Sequence, residues 1–529
     1  MSKQLYFGGD ILTMEKPLYA EAVLVENGRI LEAGSIEKLL MEDPENIDLV
    51  DLQGKTMMPA FIDAHSHITA FAKTLNLVNL ESAKNFTDLV DKLREFQKKH
   101  PLNPGQWLTG FGYDHNFLEE KMHPSKNLLD RMFPDTPVII AHASGHMGVI
   151  NTAALNACHI TADTPDPEGG RIGRMENSME PSGYLEEKAF TEISSKTGAL
   201  SLEQSCQLME EAQNIYLQYG ITTAQDGITK DTEWALLKKM AEEGRLKIDI
   251  VSYPDLKEYQ EIALQNQPYI KSYRNHLKIG GYKIFLDGSP QGKTAWLSSP
   301  YQNSGGDCGY PIYTDQQVEE LMQTSLQQHM QLLVHCNGDA AADQMIRCYR
   351  KALEKVKTPG TRPVMIHAQT VRYDQLDEMR ELDMIASFFI AHTYYWGDIH
   401  QQNLGNDRAE RISPAHTALE KGVLFTFHQD TPVLPPNMLE TVWCAVQRLT
   451  RSGTLLGAQE RITVLDALQA VTINAARQYR EERKKGSIAP GKAADFVIMD
   501  QNPLKISPDR IREIQIVQTI KDGKILYPS

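Results

Sequence analysis

Hydrophobic positions along this chain fall into two kinds of run. Near the start, AVLVENGRILEAG sets Asn27-Gly28 between two β-rich segments, and near the end IVQTIKDGKILYP sets Asp522-Gly523 in the same way. Both dipeptides predict two-residue hairpins of type I′, whose central positions need positive φ. A further strand flanked by Gly and Pro, in GSIAPGKAADFVIMD, precedes the second hairpin. Neither hairpin would be stable alone. The simplest account is a small composite β-domain formed by both termini, residues 1–57 with 480–529; two unrelated terminal hairpins are the alternative.

Between the ends, eight short apolar runs alternate with helical stretches: 58–63, 221–226, 247–252, 281–286, 331–335, 363–367, 384–388 and 423–428. Ser201 with Gln204, and Thr314 with Gln317, read as capping boxes, each opening an amphipathic run. Strands alternating with helices imply parallel βαβ units, so the fold class is α/β and residues 58–479 predict a TIM-like (β/α)8 barrel. The interval between the first two runs is longer than a crossover requires. It predicts an insertion after strand one, about 70–200, forming a subdomain that roofs the active-site face.

Composition narrows the function. The 529 residues exceed one ordinary domain, and a formal net charge of −15 argues against nucleic acid and anionic membrane surfaces as partners. Six cysteines without a CxxC pair read as free thiols in a reducing compartment. The N-terminus lacks the apolar core of a signal peptide, and no apolar run is long enough to span a membrane. The expectation is a cytoplasmic protein with a small-molecule substrate; a homo-oligomer stays open.

The strongest chemical signal is FIDAHSH, residues 61–67. His65 and His67 stand two apart, so on an extended strand their imidazoles converge on one side, as a divalent cation requires. His335 ends the fifth run, His367 the sixth, and Asp430 follows the eighth. Active sites of barrel enzymes collect at the C-terminal strand ends. Lys283 lies within the fourth run, where burial favours a neutral, nucleophilic amine able to take up carbon dioxide as a carbamate, N6-carboxylysine. Its alternative is an ion pair with a nearby carboxylate such as Asp287. Asp63 shares the parity of the two histidines and reads either as a support for them or as a strand cap.

FIDAHSH, GITTAQDG, KIFLDGSPQGKTA, HCNGDAA, IHAQT and HQDTP, in this order, resemble amidohydrolase family 3 of the amidohydrolase superfamily, the group holding YtcJ-like and N-substituted formamide deformylase-like proteins. The resemblance takes in SGHMGVINTAAL and the closing KGSIAPGKAADFVIMD as well. It implies a metal-dependent hydrolase of amide or other C–N bonds. His65, His67, Lys283, His335, His367 and Asp430 would hold one or two divalent metals, Zn by default, with Lys283 bridging and Asp430 as general base. His146, Lys293 and His428 are candidate substrate-binding residues. Many members carry Arg where this chain has Lys293, which also rivals Lys283 as the functional lysine. Phe117, Trp296, Phe389, Tyr394, Tyr395 and Trp396 form either an aromatic wall around a substrate or plain packing. A decarboxylase or isomerase on the same metal site, and a non-enzymatic scaffold or regulator, are the rival functions.

Overall fold

A computed structural model describes residues 3–41, 47–102, 105–115, 117–142, 147–167, 169–196 and 200–528. The first strands are β1 (Lys3–Leu12), β2 (Tyr19–Glu26), β3 (Arg29–Gly34), β4 (Ile47–Asp51), β5 (Thr56–Pro59) and β6 (Phe61–Ile62). β7 (Leu77–Asn79), β8 (Leu108–Tyr113), β9 (Val138–His142), β10 (Met147–Ile150), β11 (Gly170–Arg174) and β12 (Pro181–Glu187) follow. Then come β13 (Ile221–Thr229), β14 (Asp249–Pro254), β15 (Leu277–Ile279), β16 (Gly281–Phe285), β17 (Gln331–Cys336), β18 (Val364–His367), β19 (Ile385–Phe388) and β20 (Phe425–Phe427). β21 (Phe496–Met499), β22 (Ile516–Lys521) and β23 (Lys524–Tyr527) close the chain. Two compact units emerge: residues 1–71 with 210–529, and residues 72–209.

Both ends of the chain meet in one sheet, ordered β23-β22-β21-β5-β1-β2-β3, with β4 beside β1. The hairpin dipeptides behave as their chemistry requires: Asn27, Gly28, Asp522 and Gly523 all have positive φ. The two turns touch, and a Cβ on Gly28 would stand 2.7 Å from the Asp522 carbonyl oxygen. Ala494 joins them, its amide donating to Gly28 O at 2.9 Å and its carbonyl accepting from Gly523 N at 2.9 Å. Beneath them Tyr6, Ile11, Val23, Ile30, Met57, Phe496 and Ile520 form a buried apolar layer.

The central runs come as strands in the expected order, and from Phe61–Ile62 onward all their pairings are parallel. Helices follow most of them, among them Asp231–Glu242, Asp315–Gln327 and Asp339–Val356. The Thr314–Gln317 capping box is formed.

Two expectations need correction. The first run does not make one strand: Thr56–Pro59 joins the terminal sheet, pairing Pro59 with Phe496, and only Phe61–Ile62 faces the parallel strands. Nor do the parallel strands close into one barrel. They form two sheets, β15-β14-β13-β6 and β16-β17-β18-β19-β20. Gly280 alone separates β15 from β16, so the fourth strand contributes one half to each sheet. Among the described residues no ladder joins β20 to β6, because β6 is two residues long and the Ile62 amide donates to Val471 O at 2.9 Å. Ile62, Val251, Tyr253, Leu333, Val364, Ile366, Ile385 and Tyr479 pack a shared core below the strand ends.

The 72–209 unit carries a six-stranded sheet, β11-β12-β10-β9-β8-β7, over its own core of Val78, Leu89, Leu93, Leu108, Phe133, Val138 and Ile140. Ser201 and Gln204 cap each other here as expected. No helix among the described residues is long and apolar enough to cross a membrane.

Candidate metal centre

His65 and His67 lie in the bend just after β6, with their rings 5.0 Å apart. His67 is anchored through its amide to Thr431 O at 2.8 Å, which brings the segment after β6 to the segment after β20. There Asp430 waits: its Oδ1 lies 3.2 Å from His65 Nε2 and 3.2 Å from His67 Nε2. The Lys283 ammonium nitrogen is 3.2 Å from His65 Nε2. A tetrahedral cation with bonds of about 2.0–2.1 Å would space its ligand atoms about 3.3 Å apart, so this donor set fits a divalent metal of the Zn type. Such a cation would be held by His65, His67 and Asp430, with Lys283 adjacent.

The remaining histidines form a chain into the protein. His335 Nδ1 lies 3.1 Å from His367 Nε2, His367 Nδ1 lies 3.2 Å from His428 Nε2, and His428 Nδ1 lies 2.9 Å from Ser387 Oγ. His335 Nε2 is 3.1 Å from both Gly288 O and Asn337 Nδ2. His367 and Asp430 hold left-handed backbone angles, φ 73° and 54°. That conformation is costly outside glycine and concentrates at functional sites.

Electrostatics keep the donors available. Burial pushes His65 down to about 3 and His335 down to about 4, and holds His367 and His428 well below the ordinary histidine range. All four are neutral at pH 7, as metal ligation requires. Burial lowers Lys283 to about 7, with Asp430 opposing. Burial would raise Asp430, but the surrounding His367, His65 and His67 overcome it and hold the carboxylate well below its usual range. Asp63 is pushed up to about 8 by burial; its Oδ1 accepts from the His65 amide and its Oδ2 has no partner.

The structure thus brings together His65, His67, Lys283, His335, His367, Asp430 and His428. His428 is fully buried, lies between Ser387 and His367, and sets its ring 5.2 Å from that of His65. Lys283 is not paired with Asp287, which instead accepts from the amides of Asn337, Gly338 and Trp296. Lys293 sits in a turn at φ 57°, its amide donating to Pro290 O. His146 lies outside the described residues. Of the aromatic candidates, Phe389 lies beside the site, 5.3 Å from the His428 ring, and Trp396 packs on Phe389 at 5.9 Å. Tyr394 packs on Trp443, Tyr395 donates to Glu440, and Phe117 is exposed in the other unit.

Gln225 and Tyr479 were not legible as site residues. Gln225 Oε1 lies 2.5 Å from His65 Nδ1, while its Nε2 donates to Ala64 O at 2.9 Å and Tyr479 Oη at 3.1 Å. The signal available was position alone: Gln225 lies within TTAQDG, on the strand paired with β6.

Comparison with known proteins agrees with this geometry. Residues 48–527 match the model of the amidohydrolase family Amidohydro_3. YtcJ of Bacillus subtilis (strain 168), named as an amidohydrolase, is 28% identical over 99% of this chain and 99% of its own length. N-substituted formamide deformylase of Arthrobacter pascens is 28% identical over 96% of this chain and 95% of its own. A solved structure of an uncharacterized metal-dependent hydrolase from Pyrococcus furiosus superposes with a TM-score of 0.77 at 24% identity, covering 95% of this chain and 100% of that one, and so shares its fold. With the family model spanning nearly the whole sequence and its histidines and aspartate gathered at one centre, this chain belongs to the amidohydrolase family.

Proposed function

We propose that this protein hydrolyses a C–N bond, in an N-formyl, N-acyl or cyclic amide, of a small molecule. The observation that carries this reading is the convergence of His65 Nε2 and His67 Nε2 on Asp430 Oδ1, at 3.2 Å each, with the ligand atoms all within 4.8 Å of one another. His65, His67, Lys283, His335, His367 and Asp430 would hold one or two Zn²⁺ ions. When bound, the cation lowers the pKa of a water molecule and polarises the substrate carbonyl. Asp430 takes the proton of the attacking water and passes it to the leaving nitrogen, a role suited to a carboxylate kept ionised and close to both histidines. Lys283, buried and inclined to the neutral amine, is suited to become the carbamate: its Nζ lone pair bonds to the carbon of carbon dioxide and releases a proton.

The test is metal analysis of wild type, His65→Ala and Lys283→Ala, followed by a panel of N-formyl, N-acyl and cyclic amides. Wild type is expected to hold one or two Zn²⁺ per chain, both variants to lose metal, and turnover to release an amine. A wild type that binds no divalent metal, or a substrate that loses carbon dioxide instead, overturns the reading.

A further inference from the structure

A second knot of imidazoles lies within the 72–209 unit. Strands β8 and β9 are parallel neighbours, and their register sets Tyr113 against His142. Asp114 and His115 follow β8 directly, so the sheet itself delivers them to the end of β9. His142 Nε2 lies 3.3 Å from Asp114 Oδ1 and 3.3 Å from His115 Nδ1, and His115 Nδ1 is 3.8 Å from Asp114 Oδ1. These separations are close to the roughly 3.3 Å that a tetrahedral cation imposes on nitrogen and oxygen ligands.

The rings are also held in place. His123 stacks on His115 at 4.0 Å, and its Nδ1 lies 3.0 Å from Tyr113 Oη. The Tyr184 ring packs on His123 at 4.5 Å. His142 is nearly buried, while about a quarter of the Asp114 and His115 side chains remains exposed, leaving a path for an ion and a place for water. Two imidazoles and one carboxylate suit Zn²⁺ and related first-row cations rather than Ca²⁺ or Mg²⁺, which favour all-oxygen shells.

We propose that Asp114, His115 and His142 form a second binding site for a Zn²⁺-class cation, separate in its ligands from the His65–His67–Asp430 centre. The test uses the full-length chain carrying His65→Ala and His67→Ala, titrated with Co²⁺ and read by visible absorption, with Zn²⁺ content measured in parallel. That chain is expected to bind about one cation per molecule with the intense bands of a tetrahedral site. Adding His142→Ala, or separately Asp114→Asn, is expected to abolish both signals. A folded chain, checked by circular dichroism, that binds no Co²⁺ overturns the proposal, as does a Co²⁺ stoichiometry that neither substitution lowers. Should the doubly substituted chain not fold, Asp114→Asn in the wild-type background decides: one equivalent of metal fewer supports the site, and unchanged content refutes it. Neither measurement depends on turnover, so the outcome is independent of the hydrolase reading.

Discussion

Gln225→Leu tests how the metal centre is aimed. Both hydrogens of the Gln225 amide are committed, to Ala64 O and Tyr479 Oη, so its oxygen must face His65 Nδ1. Nδ1 therefore carries the ring proton, and the Nε2 lone pair points to Asp430 and Lys283, where a cation would bind. Removing the amide leaves Ala64 O with a second donor, Gln478 Nε2 at 2.7 Å, and leaves the Tyr479 hydroxyl donating to Asp63 O at 2.6 Å. Only the His65 Nδ1 hydrogen is orphaned, in a fully buried setting. The metal-free protein should lose about 1–3 kcal/mol of stability, the cost of one buried unsatisfied donor. Metal affinity should fall about 10–100-fold, as for loss of a hydrogen bond that orients a ligating imidazole. Competition with a chromophoric zinc chelator measures the affinity, and urea unfolding of the metal-free chain measures the stability. Gln225→Glu keeps an acceptor opposite Nδ1 and is expected to restore most of the affinity. Wild-type affinity in Gln225→Leu would refute the argument that this contact fixes the tautomer.

Other outcomes follow from the same structure. Lys283→Met, at a fully buried lysine with no carboxylate hydrogen-bonded to it among the described residues, is expected to preserve or raise the melting temperature of the metal-free protein while lowering bound metal. A sharp fall in melting temperature with metal unchanged would make this lysine structural. Gly28→Ala forces an L side chain into φ 73° and against the Asp522 carbonyl, and should cost about 1–3 kcal/mol by urea unfolding; no loss would mean the two hairpin turns are not held together. Lys485→Met removes one of the two lysines paired with buried Glu481, 3.0 Å away, which keeps Lys278, and one of the two paired with Asp249, which keeps Lys521, and should cost about 1–3 kcal/mol. Burial alone would raise Asp249, but Lys485 and Lys521 overcome it and hold the carboxylate well below its usual 3.8. The unfolded chain therefore binds this proton more readily than the folded one. The stability from Asp249 is present in full above about pH 4 and drains away as pH falls towards its folded value. Urea midpoints measured from pH 6 downwards should decline mainly below pH 4, and less steeply in Lys485→Met; identical slopes would remove this cluster from the acid sensitivity.

Much of the site was legible because its signals are local. His65 and His67 stand two apart directly after an apolar run, and each of His335, His367 and Asp430 announces itself at the end of another. The hairpin turns were equally readable, since Asn27-Gly28 and Asp522-Gly523 carry their backbone angles in their own chemistry. The limits were just as physical. An apolar run does not record which sheet it joins, so 58–63 read as one strand although Met58 and Phe61 serve different sheets. Closure of a barrel depends on whether the last strand finds a ladder on the first, and the Ile62 amide found Val471 instead.

By itself the sequence determined the order of strands, the parity of the histidines, the turn types and the burial that makes Lys283 a weak base. Tertiary structure alone decided that Gln225 orients His65, that His428 lies between Ser387 and His367, and that Asp287 serves three backbone amides instead of Lys283. It also decided that Asp114, His115 and His142 share one point. Propensity and periodicity act over a few residues, whereas these contacts join groups up to hundreds of residues apart. Only the packed register of neighbouring strands sets which of them meet.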